Sequence, residues 1–313
     1  MTTTRRDAVP AGDLVLHHYW MSPFAEKVRC IFGFKRLSWK SVLIPIVMPK
    51  PDLLALTGGY RKTPVLQIGA DVFCDTDLIA RVLDAVQPDP PLFPDGTEGL
   101  CYALGAWQQQ LFSLAVEMLG LSGAAMPPNF VEDRTKMFDN GLDVARMVTE
   151  LPAKRDQLRA KLDILERQLG DGRLFVLGTR PSLADFSLYH PIFALRSLPA
   201  IAGALEPFAR VLAWADRIAG FGHGTWEDMS SAAAVEVARA TTPQTSASPD
   251  PQDPNGRQPG EPVSIVHADF GRDPVVGELV ASSVHEIAIR RRDARAGEMV
   301  VHLPRERYVV LPG

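Results

Sequence analysis

Hydrophobic and polar positions between residues 14 and 86 switch between two periods. LVLHHY (14–19) reads as a strand, PFAEKVRCIFGF (23–34) as a helix with one apolar face, and WKSVLIPIV (39–47) as a second strand. After a loop, PVLQIG (64–69) and DVFC (71–74) form a close strand pair and TDLIARVLDAV (76–86) another helix. The order is βαβ-ββα. A helix inside the first crossover predicts parallel first and second strands, and the short link at Gly69–Asp71 predicts an antiparallel hairpin.

The stretch QPDPPLFPDG (87–96) places four prolines in ten positions and cannot extend the preceding helix, so it reads as an interdomain linker. From 97 to 240 the pattern is helical: Leu158, Leu162, Leu165 and Leu169 recur at three- and four-residue spacing, and no strand-like run exceeds RLFVLG (173–178). Residues 241–262 are poor in large apolar side chains and rich in Pro, Ser and Gln, which predicts a mobile tether. Beyond it VSIVHA, VVGELVAS, EIAIRR, MVVHL and RYVVLP alternate with Gly, Asp and Pro as in a compact β module. About 50 residues is marginal for folding alone, so this module is expected to dock on the main body. The fold class is α+β: a first α/β domain (1–86), an all-helical domain (97–240), a linker (241–262) and a small β-rich module (263–313).

Composition narrows the chemistry. With 313 residues, 46% hydrophobic and 22% charged, the chain is globular and large enough for more than one core. A net charge of −4 gives no electrostatic reason to expect nucleic acid. The Arg run in IRRRDAR does not change this, because residues 264–313 carry seven Arg against seven Asp and Glu, and the run is expected on a solvated strand edge. Three cysteines without CxxC spacing (Cys30, Cys74, Cys101) argue against disulfides or a cysteine-rich metal site and fit a reducing cytosol, with Cys30 in the core. No apolar run is long enough to span a membrane, and no secretory leader is evident.

Three segments carry candidate chemistry. Ser22 followed by Pro23 is a strong helix N-cap signature, and the same place, an alcohol at a positive helix end, suits a thiolate or another anion. Pro64 enters a strand where a cis turn would expose neighbouring backbone groups, and Asp75 and Thr76 open the next helix. That pair reads equally as a cap and as a holder of an α-amino and α-carboxyl group. Ser182 and Asp185 have the spacing of a capping box and are structural. His17 and His18 fall on alternate faces, one expected buried and one exposed; His267, His285 and His302 lack ligand spacing and are expected at the surface. Trp20, Phe24, Trp107 and Phe112 either line an apolar cleft or fill core.

SPFAEKVR, TPVL, DTDLI and SLADF, in that order between residues 22 and 186, resemble the serine-type, tau-like pattern of the glutathione S-transferase superfamily, and the resemblance spans about 14–225. It implies a thioredoxin-like glutathione-binding domain, a helical domain that walls the second substrate, and a homodimer. It also implies that Ser22 donates to the glutathione sulfur, that Thr63 before Pro64 pairs with the cysteinyl unit, and that Asp75 and Thr76 hold the γ-glutamyl end. Lys50, with Lys62 as substitute, would meet the glycine carboxylate; Tyr19 is a rival thiol activator. The usual Glu-Ser is here Asp75-Thr76, which would weaken glutathione binding. The implied activity is conjugation to, or reduction of, a small hydrophobic electrophile in the cytoplasm; the alternative is a non-catalytic binding or scaffold protein. A Ser in place of Cys removes the nucleophile for mixed-disulfide chemistry.

Overall fold

The structure is a computed structural model that describes residues 10–119, 129–138, 141, 143–197 and 199–313. The chain begins β1 (Leu14–His18), α1 (Pro23–Phe34), β2 (Ser38–Leu43), α2 (Pro51–Thr57), β3 (Val65–Ile68), β4 (Asp71–Cys74) and α3 (Thr76–Val86). The helical part holds α4 (Glu98–Leu119), α5 (Phe130–Thr135), α6 (Val144–Gln168), α7 (Leu183–Arg196), α8 (Pro199–Ala202) and α9 (Ala209–Ala219). Then come β5 (Thr225–Asp228), α10 (Ser231–Ala240), β6 (Pro262–His267), β7 (Val275–Ser282), β8 (Glu286–Asp293), β9 (Gly297–Pro304) and β10 (Tyr308–Pro312). This is a thioredoxin-like domain followed by a helical domain and C-terminal strands. The helix α2, where a loop was expected, is only two turns long, too short for its period to register.

The expected parallel β1–β2 and antiparallel β3–β4 pairings are present. Among the described residues, ten strands form one sheet in the order β10-β6-β7-β8-β9-β4-β3-β1-β2-β5. The C-terminal strands therefore continue the first sheet, joined where β9 runs parallel to β4 and Val300 N donates to Ala70 O at 3.0 Å. One apolar layer gathers α1, α3 and the helical domain, with Leu16, Ile31, Leu66, Ile79, Phe186 and Trp214 at its centre. The opposite layer joins Leu53 and Leu56 of α2, Ala234 and Val235 of α10, and Ile289, Met299 and Val301 of the C-terminal strands in one core. Each fully buried aliphatic side chain there contributes about 1.5–3 kcal/mol.

Several expectations change. The span 97–240 is helical only to Ala219; β5 returns to the sheet beside β2, and α10 covers it, because Trp226 and the alanine face of α10 find apolar partners there. Residues 241–262 are held by polar contacts: Gln244 N donates to Asp71 Oδ2 at 2.8 Å and Ser248 N to Val280 O at 3.0 Å. Composition registers apolar burial, and this segment is ordered by hydrogen bonds instead. His17 and His18 are both buried, because β1 is an interior strand covered on both faces. His267 and His302 are buried as well, and only His285 lies at the surface. The Arg run sits on β8, an interior strand and not an edge: Arg291 donates to Ala55 O at the end of α2, and Arg292 pairs with Glu298 at 2.7 Å. Among the described residues, no helix is long and apolar enough to cross a membrane.

Candidate active site

Ser22 caps α1. Its extended backbone (φ −73°, ψ 117°) turns the hydroxyl back, and Oγ accepts from Ala25 N at 3.2 Å while Pro23 opens the helix. A hydroxyl that accepts a backbone N–H still has its own proton to donate. Thr63 and Pro64 are joined by a cis peptide, and Val65 pairs with His17 of β1 on one side and Cys74 of β4 on the other. This register puts Thr63–Pro64 beside the end of β1 that leads to Ser22, and Asp75 beside Pro64.

Asp75 has φ 77°, unusual for a residue with a side chain, and caps α3 with Oδ1 accepting from Asp77 N at 3.1 Å. Thr76 Oγ1 accepts from Lys27 Nζ at 3.3 Å, and Lys27 also pairs with Asp77 at 2.6 Å, which ties α1 to α3. Lys50 Nζ donates to Thr63 Oγ1 at 3.2 Å and to Arg61 O at 3.1 Å, so it does reach the turn before Pro64. Burial, with Arg134 and Arg61 nearby, lowers its pKa to about 7. Lys62 is also lowered to about 7 by burial, and its ammonium lies 4.1 Å from the Phe270 ring centroid. Lys50, Lys62, Arg61, Arg134 and Arg307 against Asp75, Asp77 and Asp133 make this end of the sheet suited to an anion.

The hydrophobic candidates separate. Phe24 packs at 4.6 Å from both Phe112 and His190, at the seam of α1, α4 and α7. Trp20 points the other way, half-exposed against Trp226 at 5.7 Å and under Arg29, so it does not join Phe24 in one cleft. Trp107 lies on α4 beside Lys161, away from both. Tyr19 OH accepts from Arg134 Nη2 at 3.3 Å. His18 is kept neutral, lowered to about 3 by burial and by Arg29, which donates to Nδ1 at 3.1 Å; Nε2 then donates to Ser41 Oγ. A cavity of about 710 Å³ lies at the opposite end of β1, lined by Gly12, Trp39, Lys40 and Trp226. Glu26, Cys30 and His223 bring ligand-type atoms within 4.8 Å, but Glu26 is ion-paired with Arg29 at 2.6 Å and burial pushes the Cys30 thiol up, so the group reads as a structural network.

Two groups of residues at the site were not expected from the sequence. Arg134 of α5 bridges Tyr19 and Ile46 O, and Asp133 accepts from Met48 N and Arg61. From the C-terminal region, Arg307 Nη2, in the turn before β10, lies 3.8 Å from Asp75 Oδ2 and 3.4 Å from Asp77 Oδ2, and Tyr308 OH lies 3.4 Å from Asp75 Oδ2. Nothing local marks these residues: Asp133 and Arg134 arrive across 72 to 115 positions of chain, and Arg307 and Tyr308 across more than 200.

Comparison with known proteins identifies the family to which this fold belongs. Residues 16–91 match the N-terminal domain of glutathione S-transferases and residues 148–217 the C-terminal domain. A GST-like protein from Pseudomonas syringae is 40% identical, with a TM-score of 0.77, over 96% of this chain and 100% of its own, a coverage that takes in most of the C-terminal strands. A glutathione S-transferase of Ceriporiopsis subvermispora, solved with glutathione, shares the fold at 18% identity and a TM-score of 0.54, over 66% of this chain and 98% of its own. Glutathione S-transferase U4 of Arabidopsis thaliana is 28% identical over 82 residues, 26% of this chain and only 37% of that relative's length. The chain belongs to the glutathione S-transferase superfamily.

Proposed function

We propose that the protein binds glutathione at the end of β1 and uses Ser22 to activate its thiol for attack on a hydrophobic electrophile, or for reduction of one. The observation that supports this reading is the meeting of Ser22, the Thr63–Pro64 turn and the Asp75–Thr76 cap at one end of the sheet. A free thiol titrates near 8.5, so about 3% is thiolate at pH 7; lowering its pKa by about two units makes about three quarters reactive and requires about 2.7 kcal/mol. One charge-assisted hydrogen bond from Ser22 together with the α1 helix end is of that size. In this reading Lys50, which donates to Thr63 Oγ1, would meet a carboxylate of the ligand, and the Phe24–Phe112 seam would form an apolar wall for the electrophile. The protein is proposed to act as a cytoplasmic homodimer, with residues 1–86 supplying the thiol site and the helical region the second-substrate wall.

Ser22→Ala should lower turnover of an activated chloronitrobenzene with glutathione by roughly 100-fold while costing only about 1 kcal/mol of stability from the lost cap. A variant that keeps full rate removes Ser22 from the mechanism. A second reading, a binding protein without efficient thiol activation, is favoured by one observation: Arg307 and Tyr308 already engage Asp75. Absence of turnover in wild type with measurable glutathione binding would select it.

A further inference from the structure

The carboxylate of Asp75 is satisfied from within the chain. Oδ1 accepts from Asp77 N at 3.1 Å, while Oδ2 faces Tyr308 OH at 3.4 Å and the Arg307 guanidinium at 3.8 Å. On the reading above, that second oxygen is the one free to meet the cationic α-amino group of a γ-glutamyl unit. Arg307 offers the same positive charge and Tyr308 a donor, so between them they present to Asp75 what the ligand would present. Phe270, from the loop after β6, lies over Lys62 and stacks 5.5 Å from Phe138, and Gly271 N donates to Met137 O at 2.7 Å. The C-terminal strands thus roof this subsite.

Tyr308 opens β10, and Arg307 lies in the turn just before it. Among the described residues β10 is one of the two end strands, paired only with β6 through five register positions, and its outward Val309 and Leu311 are exposed. It follows directly on the turn at Arg305–Arg307, where Arg307 has φ 66°, a conformation costly for a residue with a side chain. Arg307 remains 28% exposed, so its guanidinium can pass into water without being buried on the way. What opposes release is the β6 ladder, the Ala268 N to Arg307 O bond of 2.8 Å and the burial of Tyr308.

We propose that β10 is a built-in latch on the γ-glutamyl subsite, with Arg307 standing in for the ligand's α-ammonium group and Tyr308 closing over Asp75, so that glutathione binds only when the strand is displaced. The proposal rests on the glutathione reading of the site. A tethered competitor acts at an effective concentration in the millimolar range, which is enough to weaken a ligand present at millimolar concentration. Free in solution, an ion pair of this kind would be worth little; its attachment makes it a regulator, and anything that pulls on β10 would open the site.

The test is calorimetric titration with S-methylglutathione, which carries the γ-glutamyl end and has no thiol. Arg307→Ala should bind roughly fivefold tighter than wild type, and Arg307→Lys, which keeps the charge, should stay within about twofold of wild type. Replacing the opposed residues Leu311→Cys and Ser264→Cys should allow a disulfide that pins β10 to β6. The oxidised form should lose binding at least tenfold, with recovery on adding dithiothreitol; the native cysteines are buried and do not interfere. If wild type binds and Arg307→Ala binds equally or more weakly, the latch is wrong while the glutathione site stands. A pinned form that binds as well as its reduced form rules out strand displacement. If no form, Arg307→Ala included, binds at 10 mM, the glutathione reading and the latch fall together.

Discussion

His302 sits at the junction of the first domain and the C-terminal strands, and its charge is expected to hold that junction. The ring lies on β9, 2% exposed and stacked 4.3 Å from Phe73 of β4, with Nδ1 2.5 Å from Glu286 Oε1 and Nε2 3.1 Å from Asp71 Oδ1. Thr245 Oγ1 lies 3.4 Å from the same Nε2. Only the protonated ring donates to both carboxylates at once. Burial opposes that charge, but Glu286 and Asp71 outweigh it and raise the pKa from 6.5 to about 9. At about 1.4 kcal/mol per pH unit, the difference amounts to about 3 kcal/mol of stability. Between pH 6.5 and about 9 the folded chain holds a proton that the unfolded chain has released, so this contribution is complete below 6.5 and is lost as pH rises through about 9.

Other groups titrate in the same window with the opposite sign. Lys50 and Lys62, lowered from 10.5 to about 7 chiefly by burial, are neutral in the folded chain above that pH while the unfolded chain still binds their protons, so their effect favours folding as pH rises toward 10.5. The absolute pH curve therefore mixes both trends, and the informative quantity is the difference between wild type and His302→Gln, in which the distant lysines cancel. Urea unfolding followed by tryptophan fluorescence at pH 6, 7, 8, 9 and 9.5 should give a wild-type advantage of about 3 kcal/mol at pH 6 that shrinks to near its floor by pH 9.5. Parallel stability curves for the two proteins from pH 6 to 9.5 would refute the charged clasp.

What was legible in the sequence divides along the range of the interactions. Ser22–Pro23, Asp75 and Ser182–Asp185 are caps, and a cap is written in three or four consecutive residues; all three close their helices in the structure. Strand order in the first domain was equally local, because a hairpin and a crossover each constrain neighbours. The pairing of β9 with β4 was not legible, since alternation along MVVHL states which side chains share a face and does not name the adjacent strand. That one pairing brings His302 to Asp71, unites the core around α2 and α10 with the C-terminal strands and allows Tyr308 to reach Asp75. The histidines show the same gap. Alternation at His17 and His18 implied one wet face, whereas the helices on both sides of β1 leave none, and the side chains find Gln67 at 2.9 Å and Ser41 at 3.1 Å.

Two further outcomes test packing independently of any ligand. At Gly33 of α1, an added Cβ would lie 2.2 Å from Gly222 O and 2.4 Å from Phe221 O, both backbone atoms that cannot rotate away. Gly33→Ala should therefore destabilise the protein by about 2–3 kcal/mol despite alanine's better helix propensity, and a melting temperature equal to wild type would contradict the close approach. Asp185 makes a sharper case. Its carboxylate is fully buried and accepts four hydrogen bonds, from Val176 N at 2.8 Å, Ser182 N at 2.9 Å, Ser182 Oγ at 3.0 Å and Trp214 Nε1 at 2.9 Å. It thereby fastens the 173–178 loop, the start of α7 and α9 to one another. Asp185→Ala strands these donors and should cost about 3–5 kcal/mol. Asp185→Asn keeps the shape but turns one acceptor oxygen into an NH2 that faces donors, so it should recover less than half of that loss, whichever way the amide is turned. Urea unfolding of the two variants separates the possibilities: an asparagine variant within about 1 kcal/mol of wild type would mean that shape, and not the supply of acceptor lone pairs, is what this buried acid contributes.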